Sequence, residues 1–219
     1  MTPTRGGARG WIARLTELPL LVLLALLVAV TIKTFLVQAF YIPSSSMLPT
    51  LHVGDRVLVE KLSYRLHSPK RDDVVVFERS VFAAAPDLPW YRDAENVVRE
   101  ILGLPVGGSE DYIKRVIGVA GDAIRYVGRP RRLYVNGRRV AEPFLGRDSG
   151  SPTLTGSDCK RLKMRRGREG CVVPPDEVFV MGDNRGNSED SRVLGPIGVA
   201  RIVGHAVVIV WPPSHFGTL

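Results

Sequence analysis

Arg132-Leu-Tyr-Val-Asn-Gly-Arg-Arg-Val-Ala-Glu142 carries the clearest fold signal in this chain. Asn136-Gly137 stands between two candidate strands, residues 132–135 and 138–142, and both turn residues tolerate the positive φ that a tight hairpin requires. The stretch therefore predicts two antiparallel strands joined by a two-residue turn.

The sequence on both sides of this hairpin has the same character. Beyond residue 42, short runs rich in Val and Ile alternate with Gly, Pro, Asn and Asp, a pattern typical of strands separated by turns. No sustained helical periodicity occurs there. The further predicted strands are residues 55–60, 73–78, 112–119, 123–127, 178–181 and 198–211. We therefore expect a mostly β domain built on an antiparallel β-sheet.

Two segments interrupt the strand pattern. Residues 82–109 contain several prolines and glycines and have room for a short helix around residues 93–102. Residues 146–170 are rich in Ser, Gly and Arg. Both segments are predicted to be loops or insertions in the β domain.

Cysteine and histidine usage gives no sign of a metal site. Cys159 and Cys171 bracket a short basic loop, and two thiols need histidine help to complete a four-ligand zinc site. The spacing of His205 and His215 suggests no such site, so we expect neither a metal nor a cofactor. A disulfide between the two cysteines is expected if the domain lies outside the cytoplasm, and two unpaired cysteines are the alternative.

The chain is basic, with a formal net charge of +8. Its densest basic runs, residues 129–132 and 160–168, are not interleaved with aromatic residues suited to base stacking. Nucleic acid is therefore not an expected partner. A solvated surface, or one that rests on anionic lipid head groups, accounts for the charge.

The N-terminal region predicts a membrane anchor. The stretch from Leu18 to Ile32 is apolar apart from Thr31, and one helix over residues 18–39 would span about 33 Å, enough for a hydrocarbon core of about 30 Å. Arginines in residues 1–17 indicate a cytoplasmic N-terminal tail. Residues 40–219 would then form an extracytoplasmic β-rich catalytic domain on a single-pass anchor.

A cleaved secretory signal is the alternative reading of the same region. Val37-Gln38-Ala39 is a small-residue cleavage sequence behind a basic and an apolar segment. Lys33 interrupts the path to that site, and the apolar stretch is longer than a usual signal sequence. Either interpretation exports the domain.

The segment Tyr41-Ile-Pro-Ser-Ser-Ser-Met-Leu-Pro-Thr-Leu51 follows the anchor directly. Its composition alone indicates a juxtamembrane linker. The two prolines stiffen the backbone around three consecutive serines, which suits an exposed nucleophile. Composition does not say which serine would act.

The segment Asp111-Tyr-Ile-Lys-Arg-Val-Ile-Gly-Val-Ala-Gly-Asp122 places a lysine in a predicted strand. Tyr112, Lys114 and Val116 share one face, and apolar neighbours can desolvate a lysine and lower its pKa. The alternative is an edge-strand lysine that opposes aggregation. Arg115 is excluded as a base because guanidinium stays protonated in proteins.

The segment Met181-Gly-Asp-Asn-Arg-Gly-Asn-Ser-Glu-Asp-Ser-Arg192 is a polar loop after a predicted strand, with carboxylates and arginines that can pair. The ligand spacing of a calcium-binding loop is not met. His52 lies too close to Ser46 in sequence for a Ser-His-Asp arrangement, whose partners come from separate elements. His52 and His67 are therefore expected to be ordinary loop residues.

These three segments, in this order behind an anchor, resemble the bacterial type I signal peptidase family, also called leader peptidases, which are serine proteases with a Ser/Lys dyad. The similarity covers residues 41–62, 70–77, 111–121 and 181–192. The resemblance implies that Ser46 is the nucleophile and Lys114 the general base, with the Ser44 hydroxyl and the Ser46 amide forming the oxyanion hole. For a lysine to act so, its pKa must fall by roughly 2–3 from its ordinary value.

The resemblance also implies supporting residues. Ser188 would hydrogen-bond and orient the lysine amine, and Asp190 and Arg192 would hold the loop in shape. Ser45 and Gly186 depart from the family pattern, in which glycine and aspartate are frequent at the respective positions. The positions implied to line the substrate pockets are Phe40, Ile42, Met47, Leu51, Tyr112 and Ile113.

The implied function is that of a membrane-bound serine endopeptidase. It would remove signal peptides from exported preproteins after small residues at the first and third positions before the cut, an Ala-x-Ala site, at the plasma membrane and in contact with lipid. One alternative is a regulatory Ser/Lys autoprotease, which the anchor and the lack of a helix-turn-helix region oppose. The other is a membrane-tethered binding module without catalysis, for which the serines are only a linker.

Overall fold

The computed structural model describes residues 19, 21–28, 36–78, 111–128, 132–147, 149–150 and 154–219. The predicted tail at residues 1–17 and the predicted loop at residues 82–109, with its optional helix at 93–102, lie outside the described residues. The predicted anchor at residues 18–39 lies partly outside them.

The described part of the predicted anchor contains two kinds of structure. Residues 21–28 form helix α1 with exposed side chains, and no helix in the described ranges is long and apolar enough to cross a membrane. Val37–Tyr41 is strand β1 and pairs antiparallel with β2, Arg56–Glu60. The predicted helix end at residue 39 is therefore wrong, because the backbone of residues 37–39 forms the β1–β2 ladder.

Eight of the described strands form one antiparallel sheet, here called the large sheet. Its strands are β1, β2, β3 (Val74–Glu78), β4 (Asp111–Gly118), β10 (Glu177–Met181), β11 (Ile197–Gly198), β12 (Ile202–Trp211) and β13 (Gly217–Thr218). Their order is β1-β2-β12-β3-β4-β10-β11, with β13 beside β12. Strand β4 therefore lies inside the sheet, hydrogen-bonded to β3 and to β10.

A second antiparallel sheet, here called the small sheet, contains the predicted hairpin. Its strands are β5 (Ala123–Val127), β6 (Arg132–Val135), β7 (Arg138–Arg139), β8 (Arg165–Arg166) and β9 (Cys171–Val172), in the order β7-β6-β5-β9-β8. Asn136 and Gly137 have φ values of 51° and 75°. The hairpin prediction is confirmed, although its second strand ends at Arg139, beyond which the Val140 amide still donates across the hairpin, to the Leu133 carbonyl at 3.0 Å.

Short helical turns connect the strands. They are α2 (Ser63–Leu66), α3 (Asp158–Arg161), α4 (Ser191–Leu194) and the 3₁₀ turns Val199–Arg201 and Pro213–His215. The predicted strand at residues 198–211 therefore begins only at Ile202. The predicted loop at residues 146–170 holds α3 and β8, and its Cys159 is joined by a disulfide to Cys171 in β9.

Apolar side chains cover both faces of the large sheet. In β3, Val74 and Val76 belong to one buried cluster, whereas Val75 and Phe77 belong to another on the opposite face, as the alternation of a strand requires. A third cluster joins the small sheet to β4 and β10. The fold is mostly β and antiparallel, as the sequence predicted.

Candidate active site

The three serines lie in a compact turn between β1 and β2, residues 44–51, here called the serine turn, and their environments differ. Ser46 is buried, with 8% of its surface exposed, whereas Ser44 is exposed. The Leu48 amide donates to the Ser45 carbonyl at 3.2 Å, and the Leu51 amide donates to the Met47 carbonyl at 3.0 Å. Burial in this hydrogen-bonded turn therefore distinguishes Ser46 from the other two serines, a distinction that composition alone does not provide.

Lys114 points at this buried serine. Its Nζ donates to Ser46 Oγ at 2.8 Å and to the Ile113 carbonyl oxygen at 2.9 Å. The side chain is 3% exposed and belongs to β4, with β3 on one side and β10 on the other. The alternative of an exposed edge-strand lysine is therefore wrong, because Lys114 is buried and pairs with Val75 of β3, although the ladder to β10 begins only at Arg115.

The environment of Lys114 changes its acidity. Burial lowers the pKa of Lys114 from 10.5 to about 8, against the negative charges of Asp190, Glu189 and Asp183, which raise it. Burial wins because the amine is shielded from water on an inner strand, where the charged form loses its hydration. Near neutral pH a useful fraction of the amine is therefore unprotonated.

The loop at residues 181–192, here called the polar loop, holds the serine turn from the other side. The Asn184 amide donates to the Ser46 carbonyl at 3.0 Å, and Asn184 Nδ2 donates to the Ser45 carbonyl at 3.1 Å. Asn187 Nδ2 donates to Ser45 Oγ at 3.1 Å. A Cβ on Gly182 would collide with the Ser46 carbonyl oxygen. The close approach of loop and turn therefore requires glycine at position 182.

Asp190 and Arg192 form an ion pair within the polar loop. Arg192 Nε and Nη2 donate to the two oxygens of Asp190, each at 2.8 Å. The fully buried Asp190 also accepts from the Gly182 amide at 3.1 Å, and Arg192 Nη1 donates to the Arg185 carbonyl at 2.8 Å. These bonds connect the two ends of the loop.

A second buried ion pair, not singled out in the sequence, connects three parts of the site. Arg115 Nε and Nη2 donate to the oxygens of Asp183 at 2.9 and 2.7 Å. Thr50, in the serine turn, donates its hydroxyl to the same carboxylate. Asp183 therefore joins β4, the polar loop and the turn. Two features of the sequence could have indicated this pair: Asp183 stands near the start of the polar loop, and Arg115 is adjacent to the candidate lysine.

Arg185, also not singled out, anchors the polar loop to the small-sheet side of the molecule. It is 2% exposed, its Nε donates to the Gly182 carbonyl at 3.0 Å, and its Nη1 lies 2.6 Å from a carboxylate oxygen of Glu142. The Tyr126 hydroxyl accepts a further hydrogen bond from it. The sequence carries no local signal for the pairing of Arg185 with Glu142, because the two residues belong to segments that are far apart along the chain.

The expected hydrogen bond between Ser188 and the lysine amine is not formed. Ser188 Oγ is buried, and among the described residues it has no hydrogen-bond partner. Lys114 uses the Ile113 carbonyl instead. Ser188 Oγ and the Ser46 carbonyl oxygen both border the space that a Cβ on Gly182 would occupy, so the hydroxyl still lies beside the serine turn.

The remaining predicted site residues differ in how much of their surface is exposed to solvent. Ser44 Oγ lies 3.3 Å from Ser46 Oγ at the exposed side of the turn. Phe40 and Tyr112 are partly exposed. Met47 and Leu51 are fully buried and pack in one cluster with Ile42 and Ile113. Ile42, Met47 and Leu51 are all fully buried beneath the turn, and their place in a substrate pocket stays a prediction.

The chain is similar in sequence to several known signal peptidases. The profile of the family described as "Signal peptidase, peptidase S26" matches residues 15–211. The signal peptidase I of Mycobacterium tuberculosis is 35% identical over 231 residues, covering 94% of this chain and 75% of that protein. The probable signal peptidase I-2 of Synechocystis sp. is 34% identical and covers 89% of this chain and 72% of its own length. A crystal structure of a signal peptidase I from Enterococcus faecalis aligns with a TM-score of 0.36 at 22% identity, over 64% of this chain and 97% of that one.

Proposed function

The chain belongs to the signal peptidase I family and is an enzyme with that activity, which removes signal peptides from preproteins, and we propose that Ser46 and Lys114 are its catalytic dyad. The observation that carries this proposal is the 2.8 Å hydrogen bond between Lys114 Nζ and Ser46 Oγ at a buried position. A binding module without catalysis would leave unexplained why a lysine amine is buried against a serine hydroxyl.

The dyad works through a neutral amine. Unprotonated Lys114 takes the proton of Ser46 Oγ, and the oxygen attacks the scissile carbonyl carbon to give a tetrahedral intermediate. The Ile113 carbonyl oxygen accepts one amine N–H, and across the 2.8 Å that separates Nζ from Ser46 Oγ the lone pair of the neutral amine accepts the serine proton. The protonated lysine then returns its proton to the leaving amine nitrogen as the peptide bond breaks. Water hydrolyses the acyl-enzyme by the same route.

The negative charge on the tetrahedral oxygen needs donors in fixed positions. We assign this role to the Ser46 amide and the Ser44 hydroxyl, since Ser44 Oγ lies 3.3 Å from the attacking oxygen. Loss of one such donor typically lowers kcat by 10²–10³-fold. The hydrogen bonds from Asn184 to the carbonyls of Ser45 and Ser46 support the proposal, because they hold the backbone of the turn that carries the amide.

Supporting roles follow from the polar loop. Asp190 and Arg192 stabilise the loop through their paired hydrogen bonds, and the loop carries the Ser188 hydroxyl beside the serine turn. We assign Ser188 to orienting the lysine amine during the reaction, when the Ser46 proton has moved. The residues proposed to border the bound peptide are the partly exposed Phe40 and Tyr112 and, from the buried cluster beneath the turn, Ile42, Met47, Leu51 and Ile113.

The substrate is proposed to bind as an extended strand, with backbone hydrogen bonds for affinity and side-chain pockets for specificity. An anchor in the apolar segment that precedes β1, with a cytoplasmic tail, would hold the catalytic domain at the outer surface of the plasma membrane. Confinement to the same surface as a membrane-embedded signal sequence raises the effective substrate concentration.

Cleavage position tests the substrate proposal. Purified full-length protein in detergent is expected to cut a preprotein directly after its Ala-x-Ala sequence, as read by mass spectrometry of the products. Replacing the alanine at the cut with phenylalanine is expected to reduce kcat/KM by at least about 100-fold, because a small pocket excludes a large side chain. The same replacement at the middle position is the control and should have little effect. Equal cutting of all three substrates would contradict the proposal.

The pH dependence of cleavage tests the dyad. Since burial lowers the pKa of Lys114 to about 8, kcat/KM is expected to rise with pH through a midpoint near 8 and to level off above it, as protonated lysine cannot act as a base. The negative charge of Glu189 raises this pKa, so Glu189→Gln is expected to move the midpoint to lower pH. A rate that does not change between about pH 6 and 9 would exclude a lysine base with this pKa.

A further inference from the structure

Two histidines and one aspartate lie close together beside the 3₁₀ turn that follows β12. His52 and Asp55 lie between the serine turn and β2, and His215 closes the 3₁₀ turn that follows β12. His215 Nδ1 donates to Asp55 Oδ1 at 2.8 Å across 160 residues of sequence. The His52 ring lies against the His215 ring, with 4.7 Å between their centroids. The sequence predicted His52 to be an ordinary loop residue, since nothing local links it to His215.

The carboxylate at the centre of this group is held rigidly. Asp55 is 1% exposed, and its Oδ2 accepts the His52 amide at 2.7 Å. Its own amide donates to the His52 carbonyl at 3.1 Å, and its carbonyl accepts the Ile42 amide at 2.9 Å. The two imidazoles remain open to solvent, with side-chain exposures of 50% for His52 and 39% for His215. A solute can therefore reach the histidines, while the carboxylate is fixed beneath them.

The spacing of these groups fits a metal ion. One ligand atom from each of the three residues lies within 4.8 Å of the other two. Ligands held ~2.0 Å from a tetrahedral zinc ion stand about 3.3 Å apart. His215 Nδ1 lies 2.8 Å from Asp55 Oδ1, and His52 Nδ1 lies 4.0 Å from the other carboxylate oxygen, Oδ2. An ion bound among them would replace the His215–Asp55 hydrogen bond with two metal bonds, and the solvent-exposed imidazoles would rotate toward it.

We propose that His52, Asp55 and His215 bind one Zn²⁺ ion, with water as the fourth ligand. Two imidazoles and a carboxylate are borderline ligands that suit zinc, whereas Ca²⁺ and Mg²⁺ take sets of oxygen ligands. Both cysteines are used in the disulfide, so neither of them offers a thiolate that would draw the ion elsewhere. The hydrogen bonds that Asp55 makes to backbone groups give the ligand the outer-shell support that metal sites use.

The ion would connect two distant parts of the chain. His215 lies in the C-terminal segment after β12, and His52 follows Leu51, the buried residue that ends the serine turn. Zinc bound to these ligands joins the C-terminal segment to the segment that carries Ser46. Because the unfolded chain does not hold the ligands together, binding stabilises the folded state and raises the Tm.

The test uses the full chain in detergent, purified without a histidine tag and stripped with EDTA. Co²⁺ titration is expected to give the visible absorption of four-coordinate cobalt with one ion per chain, and Zn²⁺ is expected to displace the cobalt and raise the Tm. His52→Gln and His215→Gln are each expected to weaken binding by at least about 100-fold, since even outer-shell changes cost 10–100-fold. His67→Gln is the matched control, as His67 is an exposed histidine outside the group.

Folding of each variant is checked by its Tm in EDTA, so that loss of the metal is separated from loss of the fold. A folded His52→Gln that no longer binds cobalt supports the site, as does unchanged binding in His67→Gln. The proposal is overturned if wild-type protein binds neither ion, or if all three variants bind as the wild type does.

Discussion

Lys114→Met is expected to abolish signal peptide cleavage and to leave a protein at least as stable as the wild type. The amine is the proposed base for Ser46, at 2.8 Å, and methionine has no proton-accepting nitrogen. Removing one member of a nucleophile–base pair typically lowers kcat by roughly 10⁴-fold or more. Methionine is also flexible enough to occupy the buried space of a lysine stem.

The stability of this variant follows from the acidity of Lys114. Folding lowers the pKa of Lys114 from 10.5 to about 8. A pKa change of one corresponds to a free-energy difference of about 1.4 kcal/mol between the two protonation states. Because the folded-state pKa is depressed, the folded state is disfavoured by about 3 kcal/mol below pH 8, and this penalty disappears as the pH rises past 10.5. Methionine removes the penalty but also two hydrogen bonds, each of which contributes about 1 kcal/mol.

Urea unfolding of the two proteins at several pH values measures the difference. We expect Lys114→Met to be more stable by about 1 kcal/mol at pH 7, and this gain to vanish near pH 9 and reverse above it, because the folded-state lysine loses its charge above pH 8 while the unfolded-state lysine keeps its charge up to about pH 10.5. Loss of activity together with loss of folding would mean that Lys114 is structural. Substantial cleavage by a folded Lys114→Met would remove the lysine from the mechanism.

The serine half of the dyad has a matched control in its neighbour. Ser46→Ala is expected to be as inactive as Lys114→Met, because both remove the same proton-transfer pair, and the double variant should be no worse than either single one. Ser45→Ala alters only the adjacent hydroxyl, whose partner is Asn187 Nδ2, and should keep most of the activity. Comparable losses at Ser45 and Ser46 would contradict the assignment of the nucleophile.

Asp183→Asn is expected to cause the largest loss of stability among single changes in the site. Asp183 is fully buried and pairs through both oxygens with Arg115, itself 6% exposed. The substitution leaves a buried guanidinium without its counter-charge, and breaking such a pair typically costs 3–5 kcal/mol. The loss would also loosen the joint between β4, the polar loop and the serine turn, since Thr50 donates to the same carboxylate.

The matched control is a carboxylate-to-amide change at an exposed ion pair. Glu169 lies 3.6 Å from Arg125, with side-chain exposures of 45% and 38%, and Glu169→Gln is expected to change stability by less than about 1 kcal/mol. Urea midpoints of the two variants make the comparison. A second readout is the pH profile: the Asp183 charge raises the pKa of Lys114, so any residual activity of Asp183→Asn should have its acidic limb at lower pH. Equal stability of the two variants would show that the buried pair contributes little.

Local chemistry in the sequence determined much of the secondary structure. The turn at Asn136-Gly137 could be predicted because two adjacent residues that tolerate positive φ define a hairpin without help from the rest of the chain. The strands at residues 123–127 and 132–135 match their predicted bounds. The predicted end of the anchor helix was wrong because the local sequence there does not decide the conformation. Residues 37–39, Val-Gln-Ala, suit a helix or a strand, and pairing with β2 decided between them.

The candidate site could be predicted only in outline. Motif order was enough to single out Ser46 and Lys114 from a family resemblance, and these two residues do meet. It did not reveal that Asp183 pairs with Arg115, or that the Met47 and Leu51 side chains are in the core. The direction of a side chain in an irregular turn depends on what packs beneath it, which no pattern of neighbours along the chain records.

The amino-acid sequence by itself thus determined the strand-forming segments, the hairpin turn and the set of polar residues available for chemistry, because these depend on short-range backbone preferences. The tertiary structure alone decided which serine is buried, that Lys114 loses its water on an inner strand, and that His52 meets His215. Desolvation and contacts between residues 68 or 160 positions apart are properties of the packed chain, and they exist only once the sheets have formed.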